Sequence, residues 1–175
     1  MEGLVRHTPM IDYMRNRGAF DREPFVLIDV GCSGGIDDSF RRFGPGLIAH
    51  GYDPNITACE DAQRLERFAH VRYHPRFVGL PESHPFRQRR VAEQKQWPAH
   101  PWDRVTVGSA AAWKQRDPVI VAPTRLADVS TTIGVDAIVE QEQLATVDFL
   151  KIDVDGPDLD VLESAKDVFG AKQVL

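Results

Sequence analysis

Phe25-Val26-Leu27-Ile28-Asp29-Val30-Gly31-Cys32-Ser33-Gly34-Gly35 is the stretch that decides the fold. Its first six residues are apolar except for Asp29, carry β-branched members and show no polar alternation. That is the pattern of a strand covered on both faces, which belongs to a parallel sheet with helices on either side. Upstream, Met10-Ile11-Asp12-Tyr13-Met14 has apolar residues at helical spacing, and Gly18 suits the left-handed end of a helix. Residues 1–23 are therefore read as an N-terminal helical extension and 24–175 as the main domain.

Downstream, residues 37–43 predict a short helix stopped by Gly44-Pro45-Gly46, and Leu47-Ile48-Ala49 a second strand running into His50-Gly51-Tyr52-Asp53-Pro54. Asn55 is a good N-cap for a helix reaching Phe68, with Ile56, Cys59, Ala62, Leu65 and Phe68 on one stripe. Val71-Arg72-Tyr73 and Phe77-Val78 predict a third strand, edge-like because Pro75 interrupts it. Strand, helix, strand, helix, strand is an α/β order with parallel pairing. Residues 81–118, rich in Pro, His, Gln and Arg, read as a variable excursion with one short helix or hairpin. Regular structure is expected to resume at Val119-Ile120-Val121-Ala122. Residues 147–154 predict another buried strand, and Leu159, Leu162, Ala165 and Val168 the stripe of a last helix closed by Gly170.

The 175 residues are 42% hydrophobic and 27% charged, which excludes a disordered or fibrous chain. A net charge of −5 gives no overall attraction to nucleic acid, and Arg87-Gln88-Arg89-Arg90 reads as a solvated loop. No apolar run approaches the roughly 20 residues that cross a bilayer, and the start lacks a secretory apolar segment, so no membrane partner is expected. Cys32 and Cys59 match neither a disulfide framework nor a zinc pattern, which points to a reduced, cytoplasmic compartment.

The turn after the first strand bends the backbone sharply, brings it close to a ligand and leaves amides free near a helix start. Ligands of open α/β sheets bind at the carboxyl ends of the strands, where this turn falls; the plain alternative is a tight connection that binds nothing. A dinucleotide fingerprint beginning at Gly31 would need glycine where Ser33 and Ile36 stand, so NAD and FAD are disfavoured. What remains, acidic-x-G-x-small-x-G from Asp29, Gly31, Ser33 and Gly35, suits a nucleoside without phosphates. Asp53, about 20 residues further on, can accept hydrogen bonds from both ribose hydroxyls, although alone it would read as an Asx turn before Pro54. In Lys151-Ile152-Asp153-Val154-Asp155-Gly156, charges interrupt an apolar strand, which is costly unless they are paired. Asp153 and Asp155 offer a general base, a hydroxyl orienter or Mg²⁺ ligands, against the alternative of a structural Lys151–Asp153 ion pair. Metal use stays undecided.

These blocks, in this order, resemble a class I S-adenosylmethionine-dependent methyltransferase, and more closely the FkbM family. The most specific likeness is Val147-Asp148-Phe149-Leu150-Lys151-Ile152-Asp153-Val154-Asp155-Gly156 followed by Asp158-Leu159-Asp160-Val161-Leu162. Asp29-Val30-Gly31-Cys32-Ser33-Gly34-Gly35 and Thr124-Arg125-Leu126-Ala127-Asp128 are similar to two further segments of that family. The resemblance spans about residues 24–175 and is weakest over 81–118. It implies a Rossmann-like, mostly parallel sheet and S-adenosylmethionine as cofactor. It places Asp29, Gly31, Cys32, Ser33, Gly35 and Asp53 around that cofactor, with Asp53 on the ribose. It places Asp153, and second Asp155, as the catalytic carboxylates that orient or deprotonate an acceptor hydroxyl, with His50 or His84 as the alternative base. The family methylates hydroxyl oxygens of sugars, polyketides and related metabolites, so a small molecule or glycan is the expected acceptor.

Ser33 stands where the family usually has Asn, and Asp155 where it usually has Glu. The chain also stops where a class I methyltransferase enters its fifth strand, so the fold is expected to be truncated before its last strands. An open strand edge invites pairing; a homo-oligomer or a missing C-terminal segment is expected to cover it. The rival reading is a catalytically silent methyltransferase-like module for binding or assembly.

Overall fold

The computed structural model describes residues 9–94, 125–154 and 158–171. Chain contacts divide it into two compact units, 1–80 with 125–175, and 81–124.

In the first unit the both-face-buried run Phe25–Val30 is β1, as its composition predicts. It is the hub of a sheet whose pairings among the described residues are all parallel: β2 (Leu47–Asp53) on one side, with β3 (Val71–Pro75) beyond it, and β4 (Phe149–Ile152) on the other. The order is thus β3-β2-β1-β4. This is a mixed α/β, Rossmann-like architecture. Pro75 closes β3 at the sheet edge, where its missing N–H costs no ladder bond. β4 pairs only with β1 and is half-buried, with Phe149 46% exposed; the fully buried strand expected over 147–154 is shorter because only one neighbour holds it.

Alternation along β1 feeds two cores. Leu27 points into one, with Ile36, Phe43, Leu47, Ala49, Cys59 and Val71; Ile28 and Val30 point into the other, with Tyr52, Val135, Ile138, Val161 and Ala165. Leu27 and Ile28 are wholly buried, and each such side chain contributes roughly 1.5–3 kcal/mol. The first core is covered by α1 (Pro9–Asn16, ended by Gly18 at φ 67°), α2 (Ala19–Arg22), α3 (Asp38–Arg41) and α4 (Ile56–Leu65). Asn55 caps α4 by accepting from the Ala58 amide at 3.0 Å. The helix stops at Leu65, which is 73% exposed, so the stripe expected to reach Phe68 runs one turn too far.

The second core is covered by α6 (Val135–Gln141), α7 (Asp158–Glu163) and α8 (Lys166–Ala171). One last helix was expected here, striped by Leu159 and Leu162, but both are about half exposed and Val161 is the buried residue. Ser164 makes the break: its hydroxyl donates to the Val161 carbonyl at 2.7 Å and accepts from the Val135 amide at 3.1 Å. A side chain that bonds the backbone in this way competes with continued helix.

The unit 81–124 contributes α5 (Pro85–Gln94). The basic run at 87–90 lies on this helix rather than in a loop, with Arg89 stacked over Phe86 at 5.8 Å. The strand expected at Val119-Ile120-Val121-Ala122 lies outside the described residues. Among the described residues no helix is long and apolar enough to cross a membrane.

Glu66, just past α4, ties the first core to the glycine turn. Arg41 donates to both of its oxygens at 2.7 and 2.9 Å, Tyr73 donates at 2.9 Å, and the Arg67 and Phe68 amides at 2.8 and 3.0 Å. The Tyr73 hydroxyl in turn accepts from the Ile36 amide at 3.1 Å, which holds the exit of the turn. Burial alone would raise the Glu66 carboxyl, but these donors outweigh it and hold it at about 2, below an ordinary value of 4.5. The stabilisation is therefore complete above about pH 4.5 and fades as the pH falls toward 2. Glu66→Gln is expected to cost about 2–3 kcal/mol at pH 7. Urea unfolding at pH 7 and pH 3 should show that gap narrowing in acid; an equal gap at both would remove the ionised carboxylate from the account.

Candidate functional site

Parallel strands present all their carboxyl ends on one side, and after β3 the chain returns to add β4 on the far side of β1. That reversal leaves a crevice between β1 and β4, the place where open α/β sheets bind ligands. A cleft of about 370 Å³ occupies it, within the size range of small-molecule sites. Its walls are the ends of all four strands: Val30, Gly31 and Ser33 after β1; Tyr52, Asp53 and Pro54 after β2; Arg76, Phe77 and Val78 after β3; Asp153 and Val154 after β4.

Gly31 makes the crevice wall possible. It has φ 87°, and a Cβ there would stand 2.0 Å from the Asp153 carbonyl oxygen, so no other residue fits without parting β1 from β4. The turn does not leave all its amides free, however. Those of Gly31 and Cys32 both donate to the Tyr52 carbonyl, at 2.8 and 3.3 Å, and that of Gly35 donates to the Cys32 carbonyl at 2.7 Å. These bonds fold the turn over the end of β2.

Of the residues singled out in the sequence, the structure brings Gly31, Ser33, Asp53 and Asp153 together in the cleft. Asp53 is 8% exposed; one carboxylate oxygen accepts from the Asn55 amide at 2.8 Å, the Asx turn that its place before Pro54 suggests. The Asp153 side chain is 77% exposed, its oxygen 3.4 Å from Lys151. Cys32 lies elsewhere, buried in the first core as a free thiol beside Cys59. There burial, and more strongly the contact with Cys59, pushes its thiol up. Gly35 opens onto a separate hollow of about 450 Å³ with Arg41, Leu65, Phe68 and Tyr73, which holds none of the four. The positive φ of Gly34 and Gly35 swings the chain to that side. His50 is buried on β2 away from the cleft wall, His84 belongs to the other unit, and Asp155 lies outside the described residues.

Asp29 is the residue the structure reassigns. It is 1% exposed and sits opposite Lys151 in the β1–β4 register, with Lys151 Nζ 2.9 Å from Oδ1. Burial pushes the Asp29 carboxyl up, and Lys151 only partly offsets this. Burial alone would lower the Lys151 ammonium, yet its bonds to Asp29 and Asp153 outweigh that and hold it above its ordinary value. Asp29 is thus a partner of Lys151 beneath the cleft rather than part of its wall. Asp148 adds a second tie, accepting from the Val26 amide at 2.7 Å.

Tyr52, Arg76 and Phe77 line the cleft without having been singled out. The available signal was position: each ends or closely follows a strand whose carboxyl end faces the crevice. Arg76 brings the one cation among the described lining residues, and its guanidinium also donates to Gln141 at 3.3 Å.

Residues 95–174 match the family model described as Methyltransferase FkbM domain. The chain carries an FkbM methyltransferase domain match. It takes in β4 with Lys151 and Asp153, a little under half of the chain, while Gly31, Ser33 and Asp53 lie upstream of it. No curated protein and no solved structure matches the chain.

If Lys151 is what makes a buried Asp29 tolerable, Lys151→Met should destabilise the fold by about 3 kcal/mol, as removal of one partner of a buried pair does. Combining it with Asp29→Asn should recover part of that loss. Urea unfolding of the single and double variants measures this, and additive losses would contradict the pairing.

Proposed function

We propose that this chain is an S-adenosylmethionine-dependent methyltransferase acting on a hydroxyl oxygen of a small molecule or glycan. The observation that carries the reading is the meeting of Gly31, Ser33, Asp53 and Asp153 in one cleft at the strand-order reversal, in a chain that carries the FkbM domain match. The donor set suits that cofactor. Asp53 has one oxygen held by its Asx turn and a second for a ribose diol. Phe77 and Tyr52 offer aromatic surface, and Arg76 a cation for a carboxylate. The absence of a dinucleotide glycine pattern fits a nucleoside that carries no pyrophosphate.

The cofactor supplies a methyl group already activated on a sulfonium, so the protein has mainly to align an acceptor oxygen and take its proton. Asp153 stands at the open side of the cleft, where an acceptor would arrive, and its carboxylate can orient the hydroxyl and accept its proton. Lys151, between Asp29 and Asp153, keeps a positive charge beside that carboxylate and fixes its position. The buried floor of Val30 and Val78 limits water at the reacting side.

Calorimetric titration with S-adenosylhomocysteine, with NADH as control, tests the cofactor class. Micromolar binding of the first and none of the second is expected. Asp53→Asn, which leaves an oxygen for the Asx turn, should weaken binding by about 1–3 kcal/mol, roughly 5- to 150-fold, with little change in stability. Unchanged affinity would remove Asp53 from the site. No binding by a folded chain would favour a silent binding or assembly module.

A further inference from the structure

On the sheet face that packs against α6, the β2–β3 register gathers a second group of polar side chains. His50 and Tyr52 are two apart on β2 and so share a face, and Tyr52 stands opposite His74 of β3. Glu142 follows the last turn of α6 and reaches over the same patch. His50 Nδ1 lies 3.2 Å from His74 Nε2 and 3.5 Å from the nearer Glu142 carboxylate oxygen. One ligand atom from each of the three residues lies within 4.8 Å of the other two, and no further group of this kind occurs among the described residues.

These spacings have a chemical meaning. Around an ion with metal–nitrogen and metal–oxygen bonds of about 2.0–2.2 Å in tetrahedral arrangement, ligand atoms stand about 3.3–3.5 Å apart. Two of the three edges already match. Two imidazoles and one carboxylate form a donor set suited to borderline ions such as Zn²⁺, whereas Mg²⁺ and Ca²⁺ take oxygen ligands. The site is sheltered: His50 is 6% exposed and the Glu142 side chain 18%. Burial lowers the pKa of both histidines, which favours the neutral imidazoles that ligate metals.

A second observation points the same way. The Tyr52 ring stacks on His74 at 4.5 Å, and burial, reinforced by the Glu142 charge, pushes its phenol up. Its hydroxyl is the buried side-chain polar atom that lacks a hydrogen-bond partner among the described residues. Such an orphan is expensive, and a water held on an ion at this cluster would satisfy it.

We propose that His50, His74 and Glu142 form a binding site for one divalent transition-metal ion of the Zn²⁺ class, with an open position toward solvent or the Tyr52 hydroxyl. The imidazole rings now face one another edge to edge, and rotation about their soft ring torsions turns both lone pairs to a common centre. The ion would clamp β2, β3 and the end of α6. Through Tyr52, which also lines the cleft, it would stiffen one wall of the candidate site. The proposal stands whether or not the cleft binds S-adenosylmethionine.

The test is titration of chelator-treated protein with Zn²⁺ by calorimetry and with Co²⁺ as an optical probe. One equivalent should bind with micromolar or tighter affinity, with the intense visible absorption of a low-coordinate Co²⁺ centre. Removing a ligand should cost no less than the roughly 10–100-fold lost with an outer-shell partner. Glu142→Gln and His74→Gln should therefore each weaken binding at least that far while keeping the far-ultraviolet circular dichroism of the parent. His70→Gln, at an exposed histidine outside the cluster, should change nothing. No binding by the folded protein at micromolar metal, or binding that survives in whichever of the two ligand variants folds, overturns the proposal.

Discussion

A carboxylate at the centre of a buried strand is a liability, and Asp29 occupies that position in β1 with neighbours paired on both sides. Lys151 makes it tolerable by reaching across from β4 at the one register in which Asp29 and Lys151 stand opposite each other. A slip of one residue would turn Lys151 to the other face and leave Asp29 buried without its partner, a cost far above that of misplacing an apolar contact. The ion pair therefore sets the alignment of β4 on β1. That alignment in turn lays the Asp153 carbonyl against Gly31 and opens the crevice between the strand ends. Asp148, bonded to the Val26 amide at the opposite end of the same pairing, sets the register a second time.

Two networks thus support the cleft from beneath without forming its walls. Asp29 and Lys151 hold the β1–β4 side. Glu66, with Arg41 and Tyr73, holds the far side of the glycine turn through the Ile36 amide. Between them, Gly31, Asp53 and Asp153 meet across three strands. Binding groups placed on strand ends and braced by buried charge are more rigid than groups on free loops, which matters for a reaction that depends on alignment.

Much of this was legible in the sequence where a local pattern has one physical meaning. The run at 25–30 has no polar face, so it had to be a central strand. Asn55 before an apolar stripe had to cap a helix, and Pro75 had to stand at an edge. Lys151 and Asp153 in an apolar strand announced a pairing, but which carboxylate Lys151 prefers depended on the β1–β4 register, and the structure gives Asp29 the shorter contact. The last helix was misread because Leu159 and Leu162 fit a stripe equally well, and only the contact of Ser164 with Val135 shows where the helix breaks. Gly35 and Cys32 looked like cleft residues by proximity to Gly31, yet positive φ at Gly34 and Gly35 and the burial of Cys32 carry both away. The His50–His74–Glu142 cluster was out of reach of sequence reasoning, since it joins two strands and a helix end through register alone.

The account's central claim is that the crevice between β1 and β4 is where a nucleoside-bearing ligand binds. The most direct measurement is a two-dimensional amide NMR titration of the isotope-labelled chain with S-adenosylhomocysteine. The predicted result is a saturable set of shifts centred on Gly31, Ser33, Asp53, Arg76 to Val78, and Asp153. Shifts centred instead on Gly35, Arg41, Leu65 and Phe68, around the second hollow, or no shifts from a folded protein, would contradict it.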